Sequence, residues 1–150
     1  MQFTSTCLRN MDSGWQVDAA YLDLKAAFDR VDHEILLAKL ERLGVSTTDV
    51  TWFRSYLTNR SVRVKIGSSH SDAFSNQSGV PQGSNLGPLL FLIFINDLAS
   101  SLPPKFRLFY ADDSKLFKVI RCLMDCLQLQ NILSCFSEWC SINLICITID

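Results

Sequence analysis

Two rhythms of apolar and polar residues run along the chain, one with the period of a strand and one with that of a helix. The polar, mixed stretch Met1 to Trp15 carries a weak helical signal that Gly14 would end, and Gln16 to Leu24 follows as an apolar first strand. Lys25 to Asp29 turns the chain. Leu36, Leu40 and Leu43 then mark a helix with Asp32 as its N-cap and Gly44 as its stop. A second helix spans about Thr47 to Leu57, closed by Thr58-Asn59-Arg60. Val62, Val64 and Ile66 alternate with Arg63 and Lys65, predicting a strand with one apolar and one basic face. A loop over Gly67 to Asp72 and a returning strand over Ala73 to Asn76 complete this region. Gly87-Pro88 opens a helix to about Ala99, so apolar all round that full burial is expected. Phe106 to Tyr110 and Leu116 to Ile120 read as short strands. The long helix from about Cys122 to Cys140 precedes a last apolar strand, Asn143 to Asp150. These elements predict an α+β fold, an antiparallel sheet backed by helices.

The turn between the two short strands changes the picture, because Asp112 and Asp113 stand side by side in it. Asp is at home in a turn, but the Gly or Asn of a tight hairpin is missing, and two adjacent carboxylates repel unless a cation or solvent offsets them. Such a hairpin either is a plain Asx-type tip or presents its carboxylates to a divalent metal, which takes hard oxygen ligands. Asp23, near the end of the first strand, adds a third carboxylate from a distant segment. Three such oxygen donors suit a pair of magnesium ions for in-line phosphoryl displacement. Between them, Ser78 to Pro88 carries Gly and Pro that let the main chain approach a ligand closely.

Taken together, these stretches resemble the palm of a reverse transcriptase of the non-LTR (LINE-type, jockey-like) retrotransposon family. Tyr21 to His33 resembles motif A, Ser78 to Phe91 motif B, and Phe109 to Asp113 motif C with its YADD core, in the family's order. The resemblance implies a polymerase palm with part of the fingers at about residues 45–80, in one reverse transcriptase domain over 1–150. It implies RNA-templated DNA synthesis with two magnesium (or manganese) ions held by Asp23, Asp112, Asp113 and the Leu24 carbonyl. Its partners would be an RNA template, a DNA primer and deoxynucleoside triphosphates, and its location nuclear. Phe28, five residues after Asp23, would reject ribonucleotides by collision with the 2′-hydroxyl, or else is a core residue. Pro81, Gln82 and Gly83 would face the incoming nucleotide. Tyr110 would pack beneath the primer end, or is a half-buried strand residue. Arg63 and Lys65 would track a nucleic-acid backbone, or form a solvated face. For Asp32 and His33 the capping or surface reading is preferred to a catalytic one.

Composition adds bounds. The 150 residues are enough for one domain with a real core, and 48% hydrophobic with 19% charged residues is a globular balance. A net charge of −1 is unusual for a nucleic-acid enzyme. It is consistent with basic segments lying elsewhere in a longer enzyme, whose upstream fingers and downstream thumb have no match here. No signal peptide or membrane-length apolar run is read, so an intracellular chain is expected; oligomeric state is left open. Cys122, Cys126, Leu129, Leu133, Phe136 and Cys140 share a helical stripe, read as a buried face of structural thiols with no zinc set. Thr148 stands where the family pattern has Asn, and Asp150 falls about where a Lys would follow. Two other readings stay open: another two-metal nucleotidyl transferase or nuclease, which would not need motif B, and a catalytically idle relic of such an element.

Overall fold

The computed structural model describes residues 2–110 and 112–148. Ala111 within the motif C turn, and Ile149 and Asp150 of the expected last strand, lie outside the described residues. The chain divides into two compact units, one of residues 26–96 and one of residues 1–25 and 97–150. The fold is α+β, with antiparallel strands and packed helices.

The second of these units is built on a three-stranded antiparallel sheet. Its strands are β1 (Gln16–Asp23), β6 (Arg107–Tyr110) and β7 (Asp113–Ile120), in the order β1-β7-β6. Helix α1 (Gln2–Met11) lies on one face, where the Phe3 ring meets Phe117 edge-on at 5.0 Å. Helix α5 (Leu123–Ile142) packs against β7. The central strand is covered best, with Leu116, Phe117 and even Lys118 buried.

The α5 face differs from the expected one. Phe136 and Cys140 are buried, but so are Ile132 and Trp139, while Cys122 and Cys126 are exposed. The inward stripe begins at Asp125, whose carboxylate takes the Arg121 N–H at 3.0 Å and the Lys118 ammonium at 3.1 Å. Pinning Asp125 inward turns Cys126, one residue and about 100° further round, toward solvent. The six cysteines are free thiols, and of these only Cys140 is buried.

The other unit holds α2 (His33–Arg42), α3 (Thr47–Leu57) and the first ten residues of α4 (Gly87–Ser101). Asp32 caps α2 as expected, accepting the Ile35 N–H at 2.9 Å, and Ser46 caps α3 in the same way through Asp49. Leu36, Leu40, Leu57, Leu90, Phe91 and Phe94 are buried. The buried Lys39 donates to the Phe94 carbonyl at 2.6 Å, and Arg54 pairs with Glu34. The raised Arg54 guanidinium follows from its hydrogen bond to Glu34. α4 is not buried all round, since Leu89 and Leu92 are exposed.

The expected two-faced strand through Val62, Val64 and Ile66 is also corrected. It is two short strands, β2 (Arg60–Val62) and β3 (Lys65–Ile66), returning as β4 (Ser69–His70) and β5 (Phe74–Asn76). Val62 pairs Phe74 while Lys65 pairs His70, so two residues on one side oppose three on the other. That extra residue interrupts the ladder as a bulge does, so the arm is not one continuous strand pair. Ser71 sits in it, its hydroxyl accepting the Val64 N–H at 2.9 Å and its own N–H reaching the Val64 carbonyl. Arg63 therefore belongs to no strand, and Arg63, Lys65, Val62, Val64 and Ile66 are all exposed. The presumed loop at Gly67 to Asp72 contains β4. Among the described residues, no helix is long and apolar enough to cross a membrane.

Candidate active site

The strand register brings the motif A and motif C acids together. Tyr110 pairs with Asp113, where β6 and β7 meet, and Asp113 stands directly opposite Asp23. Residues opposite each other on antiparallel strands put their side chains on one face of the sheet. Asp23, Asp113, Tyr21, Lys115, Leu108 and Tyr110 thus share a face at the sheet's end. Asp112 is half-buried in the turn itself. An open cavity of about 810 Å³ lies here, lined by Asp23, Asp113, Tyr21, Tyr110, Lys115 and Thr148 among others.

Tyr110 is 83% exposed, which removes the half-buried strand reading and leaves a ring free at the rim of the site. The Lys115 ammonium lies over two rings, 4.1 Å from the centre of Tyr21 and 4.2 Å from that of Phe3. A cation over an aromatic face is held there by the ring's quadrupole.

A short return of the chain finishes this end of the sheet. After α5, Leu144 takes a left-handed turn (φ 57°), and Ile147 bridges Leu24 in antiparallel sense. The Asp23 carbonyl accepts the Thr148 N–H at 2.9 Å, and the Lys25 N–H reaches the Cys146 carbonyl at 2.9 Å. Successive carbonyls of a strand point to opposite sides. With the Asp23 carbonyl turned to Thr148, that of Leu24 is turned to the hairpin side.

The donor chemistry fits a divalent cation. The donors are carboxylates and a main-chain carbonyl, all hard oxygens. Among the described residues no three His, Cys, Asp or Glu side chains close into a metal-holding group. Magnesium needs no such cage, because it usually binds through one or two carboxylates together with water and substrate phosphates.

The motif B residues form a second assembly with the 3₁₀ turn Ala27–Arg30. Phe28 is half-buried, stacking on Phe91 with ring centres 4.2 Å apart. It also lines a cavity of about 290 Å³ with Pro81, Gln82, Gly83, Gly87 and Pro88. The ring is thus packed on one side and faces that cavity on the other. Gln82 donates to the Asp29 carboxylate at 2.7 Å, and Ser78 donates to the Asp29 carbonyl at 2.8 Å. The Gly79 N–H reaches the Val31 carbonyl, and its own carbonyl accepts from His33 and Arg60, each at 2.9 Å. A carbonyl only accepts, so the His33 Nε2 carries the proton. His33 is buried, not the surface residue expected, and works as a strut for the loop. Asp29 lies within motif A, but its spacing in the sequence does not point to Gln82.

Residues 9–148 match the family model described as reverse transcriptase (RNA-dependent DNA polymerase). In Drosophila melanogaster, the probable RNA-directed DNA polymerase from transposon BS is 33% identical over 93% of this chain and 16% of its own length. The RNA-directed DNA polymerase from mobile element jockey is 31% identical over 88% of the chain and 15% of its own. The probable RNA-directed DNA polymerase from transposon X-element is 35% identical over 85% and 14%. The chain thus spans about a sixth of the length of the first of these relatives. With a match over nearly its whole length and the motif A and C acids paired across one sheet, the chain belongs to the reverse transcriptase family.

Proposed function

We propose that this chain is the palm of an RNA-directed DNA polymerase of a non-LTR retrotransposon, acting in the nucleus on an RNA template, a DNA primer and deoxynucleoside triphosphates. The observation that carries the reading is the Asp23–Asp113 register pair at the mouth of an open cavity. Asp23, Asp112, Asp113 and the Leu24 carbonyl would hold two magnesium (or manganese) ions. When bound, such ions supply the positive charge that activates a primer hydroxyl and offsets charge on the transferring phosphate. Asp23 and Asp113 hold their oxygens on one face, so the donors are positioned before substrate arrives. Phe28 presents its open side to the sugar and excludes a 2′-hydroxyl by bulk. Pro81, Gln82 and Gly83 shape the nucleotide side, with the Gln82 amide able to donate and accept. Tyr110 offers a ring to the primer end. Arg63 and Lys65, exposed on the β2–β5 arm, offer charge to a phosphate backbone.

The test is a chimera in which residues 9–148 replace the matching segment of the jockey polymerase. It should extend a DNA primer on an RNA template with magnesium, and Asp23→Asn or Asp113→Asn should abolish extension. A folded chimera that extends nothing would favour an idle relic. Extension unaffected by Asp23→Asn would refute the site.

A further inference from the structure

We infer that Thr148 is a positioning residue for Asp23, holding one carboxylate oxygen so that the other is presented to a divalent cation. The inference rests on the proposed polymerase reading of Asp23 and adds a residue to it. Thr148 grips Asp23 twice. Its N–H donates to the Asp23 carbonyl at 2.9 Å, and its hydroxyl donates to Asp23 Oδ2 at 3.0 Å. One residue therefore fixes both the main chain and the side chain of the candidate ligand. The Asp23 Oδ1 accepts no hydrogen bond among the described residues.

The grip is built by the fold and is not a chance surface contact. The buried Asn143 caps α5, its side-chain amide donating to the Trp139 carbonyl at 2.8 Å. Leu144 then reverses the chain, Ile145 is buried, and the Ile147–Leu24 bridge sets the register that brings Thr148 to Asp23. Both residues line the same cavity. A free aspartate on an exposed strand end would rotate among rotamers. A hydroxyl on one oxygen removes that freedom, and removing such a partner from a ligating carboxylate costs about 10–100-fold in metal affinity or activity.

The experiment compares the chain with Thr148→Val, Thr148→Ser and Asp23→Asn, with bound manganese read by electron paramagnetic resonance. Thr148→Val keeps the shape and the main-chain bond but loses the hydroxyl, and should weaken manganese binding about tenfold. Thr148→Ser should restore it. Thermal unfolding without metal should be nearly the same for both, since the sheet bond survives in each. In the jockey chimera, Thr148→Val should raise the magnesium concentration for half-maximal extension, with much of the rate recovered at saturating metal. Manganese binding by Thr148→Val equal to that of the unaltered chain would overturn the positioning role while leaving the site intact. Binding unaffected by Asp23→Asn would overturn both.

Discussion

Gly79 offers the sharpest stability test, because the loop that carries Pro81 to Gly83 is anchored through it. Its φ is +82°, a left-handed conformation that costs any other L-residue about 1–2 kcal/mol. A Cβ there would lie 2.7 Å from both the Asp29 Cα and carbonyl oxygen and 2.8 Å from the carbonyl carbon. These are main-chain atoms and cannot swing aside as a side-chain end would. Gly79→Ala must shift either the loop or the Asp29 peptide, and overpacking of this kind costs about 1–3 kcal/mol. The shift also strains the three bonds made by the Gly79 peptide, to Val31, His33 and Arg60.

Gly44→Ala separates these terms. Gly44 has φ +85°, yet a Cβ there meets nothing within 4 Å, so it carries the conformational cost alone. Both variants gain about 0.4–1 kcal/mol from a stiffer unfolded chain, which cancels in the comparison. Gly79→Ala should therefore be less stable than Gly44→Ala by about 1–3 kcal/mol. At about 2–4 °C per kcal/mol for a chain of this size, that is a difference of roughly 2–12 °C in Tm. Urea titration followed by circular dichroism measures it, the midpoints being compared at equal slope. Equal midpoints for the two variants would show that the Asp29–Gly79 contact is not tight and that the loop is not clamped there.

Phe28→Val in the jockey chimera should admit ribonucleotides, lowering sugar discrimination on the order of tenfold; unchanged discrimination in primer extension would leave Phe28 a packing residue only. Asp125 is held below the usual carboxylate range by the Arg121 N–H first and by Lys118 next. Its contribution is therefore present above the ordinary aspartate value and lost as pH falls through the lowered one. Asp125→Asn should destabilise the chain at neutral pH and flatten its acid unfolding curve, and an acid titration identical to that of the unaltered chain would refute the pairing. Burial, with a lesser effect of Cys146, pushes the Cys140 thiol up to about 11. At pH 8 it stays protonated, so iodoacetamide should label exposed Cys122, Cys126, Cys135 and Cys146 well ahead of Cys140, as read by peptide mass mapping. Its ionisation in the unfolded chain should also cost stability as pH rises above the ordinary thiol value toward 11.

Elements with strong local chemistry were legible in the residues. Asp32 and Gly44 delimit α2, Thr47 to Leu57 matches α3 end for end, and Asp112–Asp113 marks a hairpin. Each of these depends on a cap, a stop or a turn written within a few positions. The arm from Arg60 to Asn76 was not legible, because its bulge is a property of the pairing. Alternation within one strand cannot show that its partner inserts an extra residue, so the predicted basic face dissolved into two short hairpin segments.

The candidate site shows the same division one level up. Motif spacing could name Asp23, Asp112 and Asp113, since those identities carry the chemistry. It could not show that Asp113 faces Asp23, which is a matter of register. What it passed over are the polar pairings: Asp125 with Lys118, Asp29 with Gln82, His33 with Gly79, Thr148 with Asp23. A hydropathy pattern places polar side chains outside unless a partner is known. Lys118 and Asp125 stand seven residues apart but on a strand and a helix, and the other three pairs join segments at least 46 residues apart, so local sequence does not show that the partners meet. Thr148 makes the case clearly. In the sequence it is a departure from the Asn of the family pattern, and in the structure it is the residue that fixes the orientation of the candidate metal ligand.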